Sequence, residues 1–175
     1  ERPCEAHRAI HDYAWLTDQI VTLTLDFASK WLHPLPNPTS TERVSVIAVG
    51  GYGRAEMAPF SDVDLLFLTP YKQTGWAEQV IESILYTLWD LGLKVGHSSR
   101  SLDEMVRMAK SDLTIRTALL EGRYVWGDQS LYDEASARFG SEVVAGTARS
   151  FVTEKLAERE ARHKRMGDSR YVVEP

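Results

Sequence analysis

"VGGYGRAEMAPFSDVDLLFL", residues Val49–Leu68, places a glycine turn shortly ahead of two aspartates set in an otherwise apolar run. Side chains two apart on a strand share a face, so Asp62 and Asp64 project together while Val63 points the other way. Their Cα atoms then stand roughly 6–7 Å apart. Carboxylates that close repel one another, and burial disfavours their charged form further. An Asp-x-Asp pair at the end of a strand can be answered by a neighbouring arginine such as Arg54, or by a divalent cation. Magnesium suits the second case: it takes oxygen ligands, keeps waters and shares its shell with phosphates.

The residues around the pair favour the cation. Gly50 and Gly51, followed by Gly53, let the backbone approach a ligand closely. The amides at the start of the short helix expected there offer donors to a phosphate. Ser61 adds a hydroxyl beside Asp62, and Arg54 a fixed positive charge. A phosphate cradle and a metal clamp thus fall within one short stretch, with Asp62 and Asp64 as metal ligands and catalytic residues.

The rest of the chain sets the frame. Its 175 residues are 43% apolar and 26% charged, the composition of a soluble globular chain of one domain or one domain with an appendage. A net charge of -5 argues against broad nucleic-acid binding, which relies on Lys and Arg neutralising phosphates. A single cysteine, Cys4, cannot close an internal disulfide, so a cytoplasmic setting is expected. No apolar run reaches the ~20 residues that a membrane span needs, and no membrane partner is expected.

The apolar period predicts a helix over 6–32, broken by the prolines of "HPLPNPTS". "RVSVIAVGG" and "DVDLLFL" read as strands, with a helical turn or two in "GRAEMAP" between them. A helix over 76–91 ends at Gly92, and "LKVGHSS" is a third strand. Ser101 caps the next helix, and Ser111 is expected to cap another through about Tyr124. Helices near 129–139 and 141–166 follow, and "RYVVEP" reads as the start of a further strand. The expectation is an α+β fold: residues 1–42 as an N-terminal helix and linker, 43–128 as a small mixed sheet flanked by helices, and 129–175 as a helical extension.

The glycine turn and aspartate strand resemble the signature of the polymerase-β-type nucleotidyltransferases. Gly50-Gly51-Tyr52-Gly53-Arg54 through Ser61-Asp62-Val63-Asp64-Leu65-Leu66 is similar to one branch, the bacterial protein-PII uridylyltransferase/uridylyl-removing enzymes. The likeness continues through "LWDLGLKVGHSSRSLDE", "DLTIRTALLEGRYVWGD" and "RHKRMGDSRYVVEP", covering residues 43–175. It implies the N-terminal nucleotidyltransferase domain of such an enzyme. Members transfer UMP from UTP to a tyrosine of the PII nitrogen-signalling protein and release pyrophosphate, using two magnesium ions. The resemblance also implies hydrolase and glutamine-sensing domains C-terminal to this region, and a catalytic set of Asp62 and Asp64 with Gly50, Gly51, Ser61 and Arg54 at the nucleotide. Adenylylation of glutamine synthetase or of another acceptor is the neighbouring alternative, and a non-catalytic nucleotide-binding module the third.

One element of the superfamily pattern is missing. A third carboxylate is common on a neighbouring strand, yet "LKVGHSSR" has no acid. His97 on that strand and Asp112 at the next helix start are the candidates for third ligand or base, each with an ordinary structural alternative. His11-Asp12 has the hydrolase dipeptide but lacks companion ligands at useful spacing. Arg123 could reach a phosphate or pair in the neighbourhood of Glu121. The five tryptophans read as packing residues, and "RHKRMGDSR" as a solvated helix end.

Overall fold

The computed structural model describes residues 3–165, so the strand expected at "RYVVEP" lies outside the described residues. The chain opens with α1 (Pro3–Phe27), continued by one π-helical turn (Ala28–Leu32) up to the proline-rich linker. Then come β1 (Ser45–Ala48), the one-turn α2 (Gly50–Gly53), β2 (Val63–Thr69), α3 (Gly75–Asp90) and β3 (Val95–Ser101). α4 (Leu102–Ser111), α5 (Leu113–Leu120), β4 (Arg123–Gly127), α6 (Gln129–Phe139) and α7 (Ala148–Arg165) complete it. The expected α+β class, with helices at both ends of a small mixed sheet, is what the chain forms. Among the described residues, no helix is long and apolar enough to cross a membrane.

The strands run in the order β3-β2-β1-β4. β1 is antiparallel to both neighbours, whereas β2 and β3 are parallel and joined through α3. Period-two alternation divides the sheet into two apolar faces. Val46, Ala48, Val63, Leu65 and Phe67 pack against α1 and α3. Ile47, Leu66 and Leu68 pack against α4 and α6. All four residues of β1 are buried, and in β2 every residue is buried except Asp64. The single carboxylate of that strand is therefore its single departure from the core.

Local chemistry sets the ends of the elements. Thr74 caps α3 by accepting from the Ala77 amide, and Gly92, at φ +78°, follows its last turn. Ser101 caps α4 as the sequence predicts, and Glu104 completes a reciprocal capping box with it. Four boundaries differ from expectation. The helical turn between the first two strands is Gly50–Gly53 itself, ahead of "GRAEMAP". Asp112, rather than Ser111, caps α5, accepting from the Thr114 and Ile115 amides. That helix stops at Leu120, and residues as far as Gly127 form an edge strand instead of helix. "RYVW" is rich in β-preferring side chains, and pairing with β1 overrides the helical spacing. Finally, the helix expected over 141–166 is interrupted before Ala148, where Gly146 turns at φ +73°.

A half-buried latch ties α1, β4 and the glycine turn together. Arg123 grips Asp18 with two hydrogen bonds, of 2.9 and 3.0 Å, and donates a third to the Tyr52 carbonyl at 3.2 Å. Its guanidinium also lies over the Tyr52 ring, 5.4 Å from the centroid. Arg123 is thus occupied by an acid of α1. Removing Asp18 strands a guanidinium that is two-thirds buried. Asp18→Ala is expected to cost about 2–3 kcal/mol, whereas Asp12→Ala, which breaks the exposed Arg8 pair, should change stability little. Urea unfolding of the two variants checks the contrast.

Candidate active site

Asp64 lies at the start of β2, one residue in from its edge, and its carboxylate occupies a gap between two glycines. Its strand partner in β3 is Gly96. A Cβ on Gly96 would collide with Asp64 Oδ1, and one on Gly50 would stand 3.2 Å from Oδ2. Gly50 has a second reason to be glycine, because its φ is +62°. Each carboxylate oxygen therefore faces a residue without a side chain. The Asp64 carbonyl accepts from the Val49 amide at 3.0 Å, which pins the strand to the entry of the glycine turn.

Asp62 stands just ahead of β2 and is exposed, while Asp64 is half-buried. Neither carboxylate has a hydrogen-bond or ion-pair partner among the described residues. Burial pushes the Asp64 carboxyl above its usual range, and the neighbouring Asp62 charge pushes it further in the same direction. The open amides of Gly50, Gly51 and Tyr52 begin α2 nearby; the first backbone bonds of that turn come from Gly53 and Arg54, to Val49 and Gly50. Ser61 is half-buried next to Asp62, on a loop where Ala55 and Phe60 adopt φ of +58° and +69°. Phe60 is almost fully exposed at this rim.

The remaining sequence candidates fall elsewhere. Arg54 is held by Glu121 at 2.7 Å and by Glu56 at 3.3 Å, so its charge is already shared by two carboxylates. His97 pairs in register with Leu65, which puts it on the opposite face from Asp64, with its ring edge-on to Trp89 at 6.3 Å. The one-residue offset between Gly96 and His97 decides this, because strand neighbours face opposite ways. Asp112 spends its carboxylate on the α5 cap. Among the described residues no third His, Cys, Asp or Glu joins the pair, which corrects the expectation that His97 or Asp112 completes a ligand set. Trp76 and Trp126 donate to the His33 carbonyl and to Asp26, consistent with packing roles.

Sequence reasoning missed Gly96. The signal was present, since a glycine inside a strand marks close approach by another group. Gly96→Ala should cost about 1–3 kcal/mol by overpacking. Most of that cost should vanish when Asp64 is also cut to alanine, a coupling that a double-mutant cycle in urea measures directly. A second expectation concerns pH. The raised Asp64 carboxyl holds its proton more tightly in the folded chain, so stability falls as pH rises through the interval above the unfolded carboxyl value. Without added metal, Asp64→Asn should therefore melt higher than the parent at pH 7 and no higher at pH 3, as read by thermal unfolding.

No protein-family profile matches the chain. Individual relatives do. It is 66% identical, over 99% of its length, to the bifunctional uridylyltransferase/uridylyl-removing enzyme of Novosphingobium aromaticivorans. It is 62% identical over its full length to the protein of that name from Erythrobacter litoralis, and 55% over 99% to that of Rhodopseudomonas palustris. In each case it spans 19% of the relative's length. Over essentially its whole length, the chain is therefore homologous to one region, about a fifth, of the bifunctional uridylyltransferase/uridylyl-removing enzymes.

Proposed function

We propose that this chain is the nucleotidyl-transfer region of a metal-dependent enzyme that moves UMP from UTP to a tyrosine hydroxyl of a PII signalling protein, releasing pyrophosphate. The observation that carries the reading is the Asp62–Asp64 pair, without a protein cation and set beside a glycine turn with open amides. An oxygen-only donor set with unneutralised charge fits magnesium, whose chemistry there would be to orient the phenol oxygen and offset charge on the departing pyrophosphate. The names of the relatives favour uridylyl over adenylyl transfer.

The chain's own residues supply position and electrostatics. Asp62 and Asp64 hold the cation side of the triphosphate. The Gly50, Gly51 and Tyr52 amides and the Ser61 hydroxyl are donors suited to its non-bridging oxygens. Arg54, tied to Glu56 and Glu121, stabilises the turn and lends only part of its charge. A new bond forms between the phenol oxygen and the α-phosphorus as the α–β bridge bond breaks, and the phenolic proton passes to water. Tyr52 takes no part in proton transfer, because burial, with Asp18 close by, drives its phenol far above the ordinary value.

The test is transfer of label from α-labelled UTP to PII by the complete protein. Asp62→Asn and Asp64→Asn should each lower the rate by about a thousandfold or more, the equivalent of several kcal/mol of charge stabilisation. Chelation of magnesium should do the same. Undiminished transfer by both folded variants would remove the reading.

A further inference from the structure

Asp64, Leu66 and Leu68 share one face of β2, and Gly96, Ser98 and Arg100 share the same face of β3. One residue pair beyond the Asp64–Gly96 contact, this face is not filled. A slot of about 160 Å³ opens between the sheet and the helix pair α4–α5. Leu66, Met105, Met108 and Ile115 supply apolar walls, and Val49, directly before the glycine turn, closes one side. Two polar side chains line it, Ser98 and Arg100. Arg100 donates from Nη1 to the Ser99 carbonyl at 2.8 Å and has no carboxylate partner among the described residues, so it keeps spare donors.

We propose that this slot receives the nucleobase of the substrate, and that Arg100 and Ser98 select uracil through its carbonyl-rich edge. The proposal rests on the nucleotidyl-transfer reading above. Leu66 follows Asp64 by roughly 6–7 Å along the strand, the span a ribose must bridge between an α-phosphate at the aspartates and its base. A flat ring fits between methionine and leucine walls, and methionine adapts well to such faces. Arginine has donors and no acceptor. Its N–H groups satisfy the O2 and O4 carbonyls of uracil, but face donor against donor at the amino group of cytosine or adenine. The Ser98 hydroxyl can accept from the N3–H.

Two other assignments fit less well. The acceptor phenol would point its only polar atom at the aspartates, leaving Ser98 and Arg100 without a use. The larger cavity of about 400 Å³ lined by Thr69, Lys72 and Glu78, which Arg100 also borders, lies at the far end of β2. Thr69 is roughly 17 Å along the strand from Asp64, beyond the reach of one ribose.

The experiment compares UTP and CTP as donors for the complete protein, wild type against Arg100→Gln, Ser98→Ala and Ala118→Phe. Ala118 lines the slot, and phenylalanine there fills it. Magnesium–tripolyphosphate binding and thermal unfolding show that each variant keeps its fold and its phosphate site. Arg100→Gln should reduce the UTP-over-CTP preference by about tenfold or more, the worth of one charged hydrogen bond. Ser98→Ala should act in the same direction, and Ala118→Phe should raise the KM for UTP about tenfold or more while tripolyphosphate still binds. An unchanged donor preference in Arg100→Gln and Ser98→Ala, or an Ala118→Phe defect confined to the KM for PII, overturns the subsite. Both results leave the transfer reading intact if Asp64→Asn is dead. A wild-type enzyme that moves no UMP removes that reading and the subsite with it.

Discussion

The structure turns on the repulsion between two carboxylates, one of them half-buried, neither with an ion-pair partner among the described residues. Bringing Asp64 to the edge of the core costs solvation, and Asp62 adds like charge from the same side. A fold usually resolves such a conflict with an arginine. Here the nearby guanidinium is committed: Arg54 is bound by two glutamates. What the fold supplies in place of a counter-charge is room. Gly50 and Gly96 flank the Asp64 carboxylate and leave both its oxygens unobstructed by protein side chains.

That room has to be held open, which gives the surrounding architecture its purpose. β1 is buried along its whole length, and β2 is buried except at Asp64, so neither strand can shift without exposing core. The Val49 amide ties the glycine turn to the Asp64 backbone. Arg123 and Asp18 clamp Tyr52, whose ring is fully buried one residue past Gly51. A one-turn helix such as α2 has little stability of its own. It keeps its place because the side chain at its third position is locked between α1 and β4.

Much of this was legible in the sequence, and the exceptions have identifiable causes. The apolar run "DVDLLFL" marked a buried strand with Asp64 as its polar position, and the adjacent glycines marked a tight turn. Ser101 announced a helix start correctly. The helix was carried too far, through Tyr124, because the strand character of residues 123–127 is non-local. "RYVW" becomes a strand through pairing with β1, some eighty residues earlier, and that partner leaves no mark on the local periodicity. Ser111 and Asp112 are both good caps, and only the backbone angle chooses between them. His97 and Gly96 differ by one position on a strand. A register that sequence does not state sends the first away from the aspartates and brings the second beneath them.

The same logic bears on how a triphosphate could be held by a chain with a net charge of -5. A phosphate site built from free lysines and arginines would bind polyphosphates without metal and would discriminate poorly among them. Beside the glycine turn, the charge of Arg54 is already balanced by Glu56 and Glu121. Neutral donors remain: backbone amides and one hydroxyl. On the proposed reading, the carboxylate pair then makes metal a condition of binding rather than an aid to it, since a bare triphosphate meets two negative groups and an arginine whose charge is already balanced. Discrimination among nucleotides would fall to the far end of the ligand, where Arg100 is the unpaired guanidinium on the same sheet face. Charge that is withheld from the phosphates becomes selective when it is placed beside a base.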